Sequence, residues 1–241
     1  MLKLLQRELI TLFRYKSTYL ALLYFWSSYY GTSDALVNGV ERVWVDKSVV
    51  YNWFEFEGTG LIMGEFVIAI LVSKLLVGKR AFKDNDFDKS ENKMKMFTAK
   101  FLLMIIITII LVSLRSVLLT VRVAKLMEVE NIELAKMGAL FKYSIMTLVR
   151  NLALMSTYFL IDLFIKGRGI SAAVCMFYEY LLHKILEIFE FSKILLFCNC
   201  SYMQLKGIEI VIWIANCVII GVVCTVLAFK GWNKKISNWG N

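Results

Sequence analysis

Two runs that are almost pure hydrocarbon, LIMGEFVIAILVSKLLV (residues 61–77) and LLMIIITIILVSL (residues 102–114), flank GKRAFKDNDFDKSENKMKMFTAKF (residues 78–101). The middle stretch holds eleven charges, seven basic and four acidic, interleaved with Phe82, Phe87 and Met94. Apolar runs of this kind approach the roughly 20 residues that a helix needs to cross a bilayer. A plain turn would suffice to join two such helices, so the charged stretch asks for a reason of its own.

Working outward, the whole chain shares the character of the flanking runs. Of its 241 residues 59% are hydrophobic and the mean hydropathy is +0.65, above the usual apolar share of about 45–50% in a soluble domain. Further windows of spanning length give six predicted crossings, at 17–39, 61–77, 98–120, 137–165, 170–189 and 208–229. The expected fold is an all-α integral membrane protein of one domain, multi-pass in the cell membrane. No proline occurs, which removes the commonest cause of a helix kink.

Lysine and arginine in short loops collect on the cytoplasmic side. Residues 1–16, 78–100, Lys166 with Arg168, and the tail from Lys230 together carry sixteen basic residues, against seven in 41–57, 122–136 and 190–207. Both termini and the 78–97 stretch are therefore expected in the cytoplasm. The net charge of +9 follows from this topology. Basic residues split among loops form no single stripe for nucleic acid.

The segment MLKLLQRELITLFRYK (residues 1–16) places Leu5, Leu9, Leu12 and Phe13 at helical spacing, with Lys3, Arg7 and Arg14 on the opposite face. That pattern predicts a helix lying in the headgroup layer and leading into the first span. No small-residue cleavage site follows, so no removable signal peptide is expected here.

These two elements carry a resemblance. An amphipathic helix running into the first span, and FKDNDFDKSENKMKMFTAKF between the second and third, are similar to the permease subunits of type-2 ABC exporters. The resemblance implies that the 78–97 loop contains a coupling helix docked on a separate ATPase. Phe82, Asp84, Asp86, Phe87, Lys89, Lys93, Met94, Lys95 and Lys100 are the positions it assigns to that contact. It also implies a second permease copy or a related permease, and ATP with magnesium on the partner. The chain itself lacks GxxxxGK[ST], so no phosphate cradle is expected in it, and no cofactor or metal of its own is expected. Physically, a docking element wants apolar anchors together with charges that tolerate solvent, and the stretch offers both.

A charge at mid-bilayer costs at least about 2.5–3.5 kcal/mol, which singles out the ionisable residues within the spans. Lys74, Asp162 and Glu209 lie close enough to span ends to reach an interface. Glu65, Arg115, Arg150 and Glu179 sit deeper and are expected to pair between helices or to line a polar path. Glu179, His183 and Glu187 recur every fourth residue, a spacing that suits a metal or a proton relay. With one histidine in the chain, a structural polar seam is the expected role. An intramembrane enzyme centred on these three is the alternative, and a non-transporting scaffold a third possibility.

The first span is dense in aromatics, and Tyr24 and Trp26 fall deeper than an interface belt. Together with Glu65, Glu179 and His183 they are the candidates for a translocation path. Gly60 and Gly64 read as a small-residue packing face, and residues 190–207 as an outer re-entrant segment. The function expected from all this is export of a hydrophobic or amphipathic cargo by a separate ATPase. A peptide such as a bacteriocin, lantibiotic or toxin is favoured over a lipid, glycan or drug.

Overall fold

A computed structural model describes residues 2–27, 67–75, 90–126, 134–165, 173–174, 177 and 207–237. Every regular element among them is a helix. We number these α1 (Leu2–Phe13), α2 (16–27), α3 (67–75), α4 (Ser90–Leu126), α5 (Leu134–Phe164) and α6 (Ile208–Ser237). Three stretches are long and apolar enough to cross a bilayer: Met94–Leu118, Ser144–Phe164 and Ile208–Trp232. They coincide with the third, fourth and sixth predicted spans. Only 16–27 of the first predicted span and 67–75 of the second are described, both helical. The fifth, apart from 173–174 and 177, and the segment 190–207 up to its last residue lie outside the described residues.

Helix α4 begins earlier than hydropathy suggests. SENKMKMF (residues 90–97), read above as the end of the loop, forms its first two turns. The stretch contains no glycine or proline to stop a helix, and its Glu, Lys and Met residues are good helix formers whether or not they lie in the bilayer. In the same way α6 runs beyond its apolar part through KGWNKKIS to Ser237.

Helix α5 is the most enclosed of the three long helices, with 61% of its apolar window buried against 17% for α6. Its inner position explains why it can be the most polar, with a mean hydropathy of 1.4 against 2.7 for the other two. Thr147, Arg150, Asn151, Ser156, Thr157 and Asp162 are all buried in it. Short polar side chains there satisfy themselves on the preceding turn. Asn151 donates to the Thr147 carbonyl at 2.8 Å, Ser156 to that of Leu152 at 3.1 Å, and Thr157 to that of Ala153 at 3.1 Å.

The contacts of α5 and α6 fix their relative direction. A Cβ on Gly221 would sit 3.6 Å from the Ala153 Cα, Thr157 Oγ1 lies 3.7 Å from Cys224 Sγ, and Gly231 faces Leu163 and Phe164. Both residue numbers rise together, so the helices are parallel. Helix α4 runs the other way, because Phe97 near its start packs on Phe159, Phe229 and Trp232 near the ends of the other two. Ile208 to Gly231 spans about 35 Å at 1.5 Å per residue. Phe164 and Ile208 therefore lie at opposite ends of the bundle. Gly207, at the turn into α6, has φ of 53°, a conformation that residues with a Cβ adopt only with strain.

Candidate functional site

Helix α1 packs by a side that the two-faced reading of the sequence does not show. Glu8 falls one turn before Leu12 and one turn after Leu4 and Leu5, so helical spacing carries it to the side that faces the bundle. It is 2% exposed, as is Leu12. Inside, Glu8 Oε2 meets Lys100 Nζ of α4 at 2.5 Å. Lys100, itself fully buried, also donates to the Leu75 carbonyl oxygen at 2.8 Å, in the last described turn of α3. One ammonium thus ties α1, α3 and α4 together.

Burying two charges is favourable only when their geometry is good and the remaining hydrogen-bonding capacity is met. The Leu75 carbonyl supplies part of that capacity, accepting from Lys100 Nζ at 2.8 Å. Lys100 was grouped above with the charges of the coupling loop. Its head group points into the protein, where it holds the base of that loop together and is not presented to a partner.

An aromatic cluster lies beside this junction. Phe97 is stacked on Phe101 at 6.0 Å and meets Phe159, Phe229 and Trp232 edge-on or tilted at 5.5, 5.3 and 5.9 Å. Phe101 also meets Phe159 at 5.5 Å. Rings at these separations add attraction beyond the area they bury. The cluster locks the start of α4 to the ends of α5 and α6. The turn at Arg14 and Tyr15 completes this end of the bundle, where Thr18 Oγ1 of α2 donates to the Leu12 carbonyl at 2.7 Å.

The same end thus collects α1, the last described turn of α3, the start of α4, and the ends of α5 and α6. Of the stretches that carry the basic excess, residues 2–16, 90–100 and the start of the tail from Lys230 lie there.

Of the residues assigned to ATPase contact, Met94 is 56% exposed and Lys95 is exposed on the first turns of α4. Lys93 belongs to the backbone of the first turn. Phe82, Asp84, Asp86, Phe87 and Lys89 lie outside the described residues. So do Glu65, Glu179, His183 and Glu187. No group of three metal-ligating side chains occurs among the described residues.

Tyr24 is half-buried against the core and Trp26 is 41% exposed. Neither lines the cleft that α4, α5 and α6 enclose. That cleft measures about 440 Å³ and is lined by Phe101, Ile105, Ala153, Ser156, Gly221 and Thr225 among others. Thr225 Oγ1 donates to the Gly221 carbonyl at 2.7 Å, and Ser156 is bonded as described above, so both hydroxyls are turned to their own helices and the walls remain apolar.

Arg115 and Arg150 are 5% and 0% exposed, inward as expected for residues too deep to reach an interface. Glu209 is exposed in the first turn of α6, where a carboxylate also complements the helix dipole. Asp162 departs from expectation. Two residues from the end of α5 it is nonetheless 1% exposed, turned into the protein and not out to an interface.

Three helices long and apolar enough to cross a bilayer, with Lys100, Arg115, Arg150 and Asp162 buried within the bundle, fit a helical membrane protein. Beyond that class, no family model, no curated protein and no solved structure matches the chain.

Proposed function

We propose that this chain is the permease subunit of an ATP-driven exporter of the type-2 ABC kind, working with a separate ATPase. The observation that carries the reading is the junction of Glu8, Lys100 and the Leu75 carbonyl. The charged stretch departs shortly after Leu75 and returns through Lys100, so its two ends are held at one buried point. A segment that receives force from a partner needs such a rigid base, whereas a connector that merely obeys the charge rule does not.

Two further features support it. Parallel α5 and α6 require a return passage between residues 165 and 207, which is where the fifth span is expected. With that passage and with spans at 17–39 and 61–77, six crossings leave both termini on the side that carries the basic excess, the cytoplasm. The apolar cleft among α4, α5 and α6 suits a hydrophobic or amphipathic cargo, with a peptide of the bacteriocin, lantibiotic or toxin type favoured. Six spans form half of the translocation path in the family it resembles, so two such subunits are proposed per transporter.

Co-purification tests the reading. Phe87→Asp with Met94→Asp removes two apolar anchors, which at interfaces outweigh rim charges. The double variant is expected to insert in the membrane and to lose a co-purifying ATPase. Retention of the ATPase at wild-type stoichiometry would show that the stretch is a connector only.

A further inference from the structure

The cleft among α4, α5 and α6 has one side from each helix and an open edge. Helix α5 contributes Val149, Leu152, Ala153 and Ser156, which recur at helical spacing. Phe101 and Ile105 come from α4. Helix α6 contributes Gly221 and Thr225 together with Val218, Val222 and Val226, the three valines being 52%, 56% and 47% exposed. Spaced by four residues, they form the open edge. At one end the cleft stops against the aromatic cluster, where Phe97, one turn from Phe101, meets Phe229 and Trp232 and draws α4 and α6 together.

Chemistry and size exclude most occupants. A buried water needs two to four polar partners, and an extended peptide needs partners for its N–H and C=O groups. The walls have turned theirs elsewhere: Ser156 Oγ donates to the Leu152 carbonyl and Thr225 Oγ1 to the Gly221 carbonyl. Spread along α6 from Cys217 to Val226, about 13 Å at 1.5 Å per residue, 440 Å³ leaves a slot about 6 Å across. A helix with its side chains is about 10–12 Å across and does not enter. Hydrocarbon does fit. An apolar cavity of about 150 Å³ takes up benzene, so a cleft about three times as large holds a chain of roughly eighteen carbons.

We infer that the cleft holds one acyl chain of a membrane phospholipid. A chain in a bilayer stands along the helices that cross it, the direction in which the cleft runs, and the valine edge lets it enter from the side. Hydrocarbon in a bilayer is already out of water, so what it gains in the cleft is van der Waals contact with three helices at once. The outer face of α6, at Ile219 and Val223, 59% and 49% exposed, offers contact on one side only. A chain in the cleft is therefore held more tightly than one against that face. The inference does not depend on the transport reading; in the exporter proposed above, an amphipathic cargo reaches the cleft by displacing this chain.

The test uses the purified full chain in bilayers of phosphatidylcholine, with a trace of the same lipid bearing a diazirine near the end of one acyl chain. After irradiation, mass spectrometry counts adducts residue by residue. Adducts on Val149, Ala153, Val218 and Val222 are expected to exceed those on Ile219 and Val223 several-fold. Val218→Phe with Val222→Phe fills the cleft from its exposed edge. This pair is expected to bring the adducts on Val149 and Ala153 down to the level of Ile219 in wild type, at an unchanged unfolding temperature. Ile219→Phe with Val223→Phe, outside the cleft, is expected to leave them as in wild type. Cleft residues labelled no more than the outer face, as when a further helix of this chain or of a second copy covers the open edge, would overturn the inference. So would adducts that survive the cleft-filling pair. Cleft labelling by photoreactive hexadecanoic acid but not by the phosphatidylcholine would overturn it too, since the ligand would then be a single-chain amphiphile.

Discussion

Removing one member of the Glu8–Lys100 pair strands the other in a place water does not reach. Glu8 is 2% exposed and Lys100 0%, so neither charge can be rehydrated without moving α1 off α4. Breaking a buried pair in this way costs about 3–5 kcal/mol. For a chain of this size each kcal/mol shifts the unfolding midpoint by about 2–4 °C, so Glu8→Gln or Lys100→Met alone is expected to lower it by roughly 6–20 °C. The combined Glu8→Met, Lys100→Met variant removes both charges and keeps similar volume, which at buried pairs is often neutral. It still leaves the Leu75 carbonyl without its Lys100 donor, a deficit of about 1–3 kcal/mol. The double variant is therefore expected to be more stable than either single one. Thermal unfolding of the purified protein in detergent, followed by intrinsic tryptophan fluorescence, measures all three. Single variants within about 0.5 kcal/mol of wild type, the range of ordinary surface changes, would refute the buried pair. A double variant whose loss equals the sum of the singles would refute their coupling.

Two further expectations follow from other parts of the bundle. Gly221 has room for a methyl group, because an added Cβ meets Ala153 and Ser156 at 3.6–4.0 Å. Gly221→Ala is expected to be nearly silent in thermal unfolding, whereas Gly221→Ile forces α5 and α6 apart and costs about 1–3 kcal/mol; equal effects would mean that the parallel contact is absent. In intact cells, in a background without native cysteines, an impermeant thiol reagent is expected to label Ser48→Cys but not Ser90→Cys. The reverse pattern would invert the orientation, and labelling of both would break the six-crossing topology.

The membrane class and three of the crossings were legible in the sequence because hydropathy belongs to each residue by itself. A run such as LLMIIITIILVSL carries its preference for hydrocarbon wherever it is placed. The structure also brings three of the basic stretches, residues 2–16, 90–100 and the start of the tail from Lys230, to one end of the bundle, in keeping with the count of lysine and arginine along the chain. Helix α1 was half legible. Leu5, Leu9, Leu12 and Phe13 showed an apolar side, but periodicity does not divide a side that packs on the protein, as Leu12 does, from one left exposed, as at Leu9 and Phe13.

Glu8 carried a signal, a single acid among Leu4, Leu5 and Leu12 at helical spacing, yet its partner is 92 residues away and nothing local selects Lys100 from six other basic residues between 78 and 101. Asp162 was read as a snorkelling end residue, because distance from a helix terminus can be counted from sequence while the packing of that terminus cannot. The parallel course of α5 and α6 depends on Gly221 fitting against Ala153, and the onset of α4 at Ser90 on Glu, Lys and Met residues that favour helix whether or not they lie in the bilayer. Each of these is decided by which surfaces meet. Desolvation and shape fit are properties of pairs of surfaces, and tertiary structure alone makes the pairs.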